Sequence, residues 1–143
     1  MESSLSPQEV ADITEVLMRY ALGIDGRDWE LLRTCFREDL EADYGEIGRW
    51  TSASAIVAWM QETHDPLGPT LHRISNVVVS PAQSGATSRA YVHAVISANE
   101  SVTVHAYGWY DDELEKSESG WRIVRRRYTT VATEMHQSSM LDQ

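Results

Sequence analysis

The chain is poor in cysteine and in positive charge, and each shortage removes a class of function. A single cysteine, Cys35, cannot close an intramolecular disulfide, so a packed core must hold the fold and a reducing compartment suits it. Its place in an apolar helix stripe points to packing. Only 12 Lys and Arg stand against 22 Asp and Glu, a net charge of −10. Nucleic acid and anionic membranes both reward clustered cations, so neither is the expected partner. The one basic run, Arg125-Arg126-Arg127, falls in a strand pattern that sends alternate side chains to opposite faces. An apolar stretch of about 18 residues is missing. The Met1-Glu2-Ser3-Ser4 start has neither the basic region nor the apolar segment of a signal peptide, so a cytoplasmic protein is expected. There is no His-Glu-x-x-His, no cysteine pair, no facial-triad spacing and no glycine-rich phosphate loop. Hence no metal is expected.

What is present fits one domain over residues 1–143, with an ordered core over about 7–133 and a weakly ordered tail at 134–143. A chain of this length buries roughly 70% of the surface its unfolded form exposes. Val10, Ile13, Val16, Leu17, Tyr20 and Ile24 recur at helical spacing after Ser6-Pro7, which predicts a helix over 7–24 with Tyr20 facing inward. Asp25-Gly26 breaks the pattern, and Asp28 can cap a second helix carrying Trp29, Leu32, Cys35 and Phe36. From Leu40 the period changes to two, so Leu40, Ala42 and Tyr44 share a face. Thr51 or Ser52 starts a third helix with Ile56, Trp59 and Met60 inside, and His64 falls in the loop that follows. Four strands are predicted, over about 71–79, 87–98, 102–114 and 121–133, with turns at 80–85, 99–100 and 117–120. Helices early and antiparallel strands late describe an α+β domain.

His72, Ile74, Asn76 and Val78 alternate along the first long strand, which puts His72 at the mouth of an apolar face and Asn76 beside it. An aspartate and a histidine 47 positions apart can meet only through tertiary structure. If Asp25 and His72 do so, the carboxylate can hold one imidazole nitrogen protonated and leave the other as a base. Taken singly, each residue has an ordinary reading. His72 suits a half-buried histidine bonded to backbone, Asp25 a turn aspartate, and Tyr20 and Tyr44 core tyrosines with satisfied hydroxyls. His93 and His105 lie on neighbouring strands where a cross-strand pair depends on register. Five tryptophans read as packing, with Trp59 placed to line a pocket. Tyr91, His93, Tyr107 and Trp109 give one sheet face more aromatic character than solvent requires, which points to a homo-oligomer.

Together these segments resemble a known family. Tyr20-Ala21-Leu22-Gly23-Ile24-Asp25-Gly26-Arg27-Asp28-Trp29, Cys35 to Asp39, Asp43-Tyr44-Gly45, Thr70 to Asn76 and Gly120 to Ile123 are similar to the SnoaL-like branch of the nuclear transport factor 2-like superfamily, over about 7–133. The resemblance implies a cone-shaped fold, a curved, mostly antiparallel mixed sheet wrapped around three N-terminal helices. The branch with this Asp and His includes scytalone dehydratase, bile acid 7α-dehydratase and hexachlorocyclohexane dehydrochlorinase, lyases without cofactors. It implies His72 as the base, Asp25 as its paired carboxylate, and Tyr20 and Tyr44 as groups that bind or protonate the substrate. Trp59 and Asn76 are expected to contact that substrate, a small hydrophobic cyclic oxygenated molecule such as a steroid or polyketide. An arginine of the last strand is also used in parts of the family, and Arg125, Arg126 and Arg127 leave its identity open. An isomerase or cyclase with the same pair, and a non-catalytic binder or dioxygenase β-subunit, are the alternatives. A trimer or dimer is implied.

Overall fold

The computed structural model describes residues 4–137. Three helices, α1 (Pro7–Asp25), α2 (Trp29–Arg33) and α3 (Ala53–His64), precede or interrupt six strands: β1 (Phe36–Asp43), β2 (Arg49–Trp50), β3 (Thr70–Ala82), β4 (Gly85–Asn99), β5 (Val102–Ser117) and β6 (Gly120–Gln137). The strands form one curved sheet in the order β2-β1-β6-β5-β4-β3, with β1 and β6 parallel and the other pairs antiparallel. This is the expected α+β architecture, with the helices packed on the concave side.

Local chemistry sets the ends of α1. Ser6 accepts from the Glu9 backbone N–H while the Glu9 side chain accepts from Ser6, a capping box that satisfies two helix-end donors. Ile13, Val16, Leu17, Tyr20 and Ile24 then bury one stripe, each aliphatic member contributing about 1.5–3 kcal/mol relative to exposure. Gly23 brings the second helix in close, because a Cβ there would lie 2.9 Å from the Leu32 backbone nitrogen. The Asp28 N–H donates to Gly23 O at 2.8 Å, and the turn between them carries Asp25 to the sheet.

Several boundaries differ from the sequence pattern. α2 ends at Arg33, and Cys35 and Phe36 follow it, Phe36 opening β1 four residues before Leu40. Thr34 stops the helix by donating its hydroxyl to Leu31 O at 2.6 Å. Cys35 is buried, its Sγ 3.6 Å from Val16 O, and burial pushes its thiol up to about 12. The short β2, absent from the expected strands, forms by pairing Trp50 with Ala42. β6 continues through Gln137, which pairs with Val102, so the first part of the expected tail is strand; 138–143 lie outside the described residues.

The largest departure is in β3. Its pairing with β4 slips between Ser75 and Val78, and Asn76 takes a left-handed conformation with φ of 51°. The bulge shifts the two-residue period by one. Val77 and Val79 therefore pack on the core while Asn76 and Val78 are exposed, which corrects the expected face shared by His72, Ile74, Asn76 and Val78.

Candidate active site

Asp25, the last residue of α1, meets the start of β3. Its Oδ1 lies 2.8 Å from His72 Nδ1 and accepts from the Thr70 hydroxyl at 2.9 Å, while Oδ2 accepts from the His72 backbone N–H at 2.7 Å. Burial alone would raise this carboxyl, but the His72 ring and backbone bonds, its electrostatic attraction and the Thr70 bond together hold it below the ordinary carboxylate range. A carboxylate only accepts, so Nδ1 carries the proton and the neutral ring keeps its lone pair at Nε2. Among the described residues Nε2 has no hydrogen-bond partner. The His72 side chain is 8% exposed, with the Tyr20 ring edge-on at 6.4 Å and the His64 ring at 6.1 Å.

Behind the dyad, three tyrosines share their hydroxyls. Tyr20 OH lies 3.2 Å from Tyr44 OH and 3.1 Å from Tyr110 OH. Two of the rings rest on Arg126, whose guanidinium carbon is 4.2 Å from the Tyr20 centroid and 3.8 Å from that of Tyr110. Arg126 is 1% exposed and makes a bidentate pair with Asp112 at 2.8 and 2.9 Å, with Nη1 3.5 Å from Tyr44 OH. Burial would lower the arginine, but the Asp112 charge raises it well above its ordinary value. Burial and the neighbouring phenols push Tyr20 well up, against the pull of Arg126, so its hydroxyl stays protonated. A groove of about 520 Å³, lined in part by Tyr44, Ile47, Arg49, Tyr128 and Thr130, opens beside this cluster.

The register of the triple arginine is thereby fixed. Arg126 points inward, Arg125 pairs with Glu41 and Glu113 at the surface, and Arg127 lies 3.9 Å from Asp43. Contacts thus run from Tyr44 through Tyr20 and His72 to Asp25, joined by Arg126, one of the three arginines left open by the sequence, and by Thr70, Tyr110 and Asp112, which pattern reading did not single out. Trp59 stands apart from them, packed on Trp50 with ring centroids 4.6 Å apart. Asn76 is carried outward by the bulge. His64 is not in a loop; it ends α3, buried, with Nδ1 2.9 Å from Met60 O. On the outer face His93 Nε2 and His105 Nδ1 lie 2.9 Å apart. Among the described residues no group of three or more His, Cys, Asp or Glu side chains is arranged to hold a metal ion.

Residues 8–127 match the SnoaL-like domain model. The chain belongs to the SnoaL-like domain family. Its relatives include uncharacterized protein Rv2910c of Mycobacterium tuberculosis, 29% identical over 93% of this chain and 95% of the relative. Among solved structures it is similar to a protein named "Putative Scytalone Dehydratase" from Novosphingobium aromaticivorans, at 25% identity, 89% and 87% coverage and a TM-score of 0.81. It also shares its fold with hexachlorocyclohexane dehydrochlorinase LinA-type3 from Novosphingobium barchaimii, at 13% identity, 92% and 90% coverage and a TM-score of 0.78.

Proposed function

We propose that this SnoaL-like protein is a cofactor-independent lyase of the dehydratase type, acting on a hydrophobic, cyclic, oxygenated molecule of steroid or polyketide character. The observation that carries this reading is the Asp25–His72 contact of 2.8 Å, with Nδ1 committed to the carboxylate and Nε2 left as a base. His72 Nε2 takes a proton from carbon beside a carbonyl, and Asp25 stabilises the imidazolium that forms. The C–H electron pair becomes the new double bond as the C–O bond breaks. The imidazolium returns its proton to the departing hydroxyl, which leaves as water. Tyr20 and Tyr44, their hydroxyl oxygens 3.2 Å apart, suit donation to the enolate oxygen or to the leaving group. Returning the proton to a second carbon would give an isomerase on the same residues.

The test is incubation with a panel of hydroxylated cyclic ketones in deuterated water, followed by mass spectrometry and NMR. Loss of one water with His72-dependent turnover is expected. His72→Ala and Asp25→Asn should each lower the rate by about 10²–10⁴-fold while circular dichroism stays that of the parent. Deuterium incorporation without water loss would replace the lyase by an isomerase. Unchanged turnover in either variant would sink the dyad, and folded protein with no turnover across the panel would favour a binding or subunit role.

The same reading includes a homo-oligomer, dimer or trimer, through the outer sheet face. Tyr91 and Val131 are exposed there around a groove of about 410 Å³ that Tyr107 and Trp109 also line. Light scattering reads the mass directly. No helix among the described residues is long and apolar enough to cross a membrane.

A further inference from the structure

Arg27 stands two residues after Asp25 in a left-handed conformation, φ 55°, one of two non-glycine residues with positive φ among the described residues. Such a backbone costs on the order of 1–3 kcal/mol and persists where surrounding contacts over-determine it. The guanidinium supplies those contacts. Nη1 donates to Ile24 O and to Thr70 Oγ1, both at 2.9 Å, and Nη2 donates to Gly68 O at 2.8 Å. One side chain thus ties the end of α1 to the start of β3.

The direction of the bonds follows from chemistry. Arginine has donors and no acceptor, so Thr70 Oγ1 must accept from Arg27. The single Thr70 hydroxyl hydrogen is then left for Asp25 Oδ1, at 2.9 Å. Donors therefore run from Arg27 to Thr70 to Asp25, and from His72 to Asp25 on the other side. Asp25 needs them, because the C-terminal end of a helix is the negative end of its dipole and disfavours a carboxylate. Thr70 is 3% exposed, so water does not compete freely for its hydroxyl.

We propose that Thr70 and Arg27 are positioning residues for the dyad, a hydrogen-bond relay that keeps Asp25 ionised and aimed at His72 Nδ1, so that His72 holds one tautomer. The catalytic meaning of this relay rests on reading His72 as the base. The titratable and charged groups that face Asp25 are His72 from β3, Arg27 from the turn and His64 from α3.

The test uses whole protein labelled with carboxyl-¹³C aspartate and ¹⁵N histidine. The Asp25 and His72 signals are assigned by their loss in Asp25→Asn and His72→Ala. In Thr70→Val, which keeps the shape and removes the hydroxyl, the Asp25 titration midpoint moves up and His72 shows both neutral tautomers. Arg27→Gly behaves the same way, and since glycine accepts φ 55° freely, it removes the guanidinium while relieving the backbone. Thr70→Ser titrates like the parent. Parent-like titration and a single His72 tautomer in both Thr70→Val and Arg27→Gly would overturn the relay. Should Thr70→Val fail to fold, Arg27→Gly against Thr70→Ser decides. No substrate enters this measurement, so a protein without lyase activity could still show the relay, and a lyase could still lack it.

Discussion

Asp25–His72, where α1 meets β3, and Asp112–Arg126, between β5 and β6, are both carboxylate–nitrogen pairs with contacts of 2.8 Å inside one core. They differ in what is left over. Arg126 is enclosed by the Tyr20 and Tyr110 rings, and Asp112 takes both arms of its fork. That pair is sealed from solvent, with burial raising the Asp112 carboxyl against the pull of Arg126, and so structural. The Asp25 carboxylate remains 21% exposed, and His72 keeps a nitrogen unspent. A buried ion pair shapes the core when every valence is filled and can do chemistry when one is not.

The strongest way to break this comparison is to unpair the sealed side. Arg126→Met leaves Asp112 charged and alone in the core and should cost about 3–5 kcal/mol in urea unfolding. Arg126→Met combined with Asp112→Leu should recover most of that loss, because the expense lies in the orphaned charge. A single variant as stable as the parent would mean that water reaches Asp112.

The open pair responds to pH instead. The folded-state pKa of Asp25 is lowered, so its contribution to stability is fully present above the unfolded value of about 3.9 and is lost as pH falls through the folded one. Asp25→Asn should therefore be less stable than the parent by about 1–2 kcal/mol at neutral pH, and the gap should close below pH 4. A gap that stays constant with pH would deny the carboxylate its role in the fold.

The smallest effect belongs to His64. Burial first, and then the nearby His72 and Arg27 charges, lower it, against the bond to Met60 O and the charge of Asp25. Its stabilisation is full above the unfolded value of about 6.5 and is lost as pH falls through the folded value. His64→Phe should flatten the decline in melting temperature just below pH 6.5. An unchanged slope would show that this ring takes up its proton as readily folded as unfolded.

How far sequence reasoning reached follows the same division. Tyr20 stood out because the stripe of α1 is regular, Asp25 because Asp-Gly ends that stripe, and Tyr44 because two-residue alternation from Leu40 carries through to it. Asp112 did not, because Asp111-Asp112-Glu113 reads as a solvent face and only the facing β6 reveals which acid turns inward. Arg126 hid in the same way between two other arginines. Asn76 was misplaced because a bulge leaves no mark in a two-residue period until the partner strand is known. His64 was misread because Asp65-Pro66 announces a loop one residue after the helix has buried its last side chain. Thr70 carries no signal of its own, and its role lies wholly in the two groups it touches.

The parallel pairing of β1 with β6 bears on how the molecule is made. Phe36 finds its sheet neighbour only in Ile123, and Ala42 only in Arg126 and the two-residue β2. On a ribosome, Asp25 and His72 can come together soon after β3 and β4 emerge, while Leu40 and Ala42 wait with one flank uncovered until β6 arrives. The Asp25–His72 end of the molecule is thus assembled from early chain and the Asp112–Arg126 end from late chain. A nascent chain halted before β6 would already hold the Asp25–His72 pair, but over an unfinished core of the kind chaperones recognise.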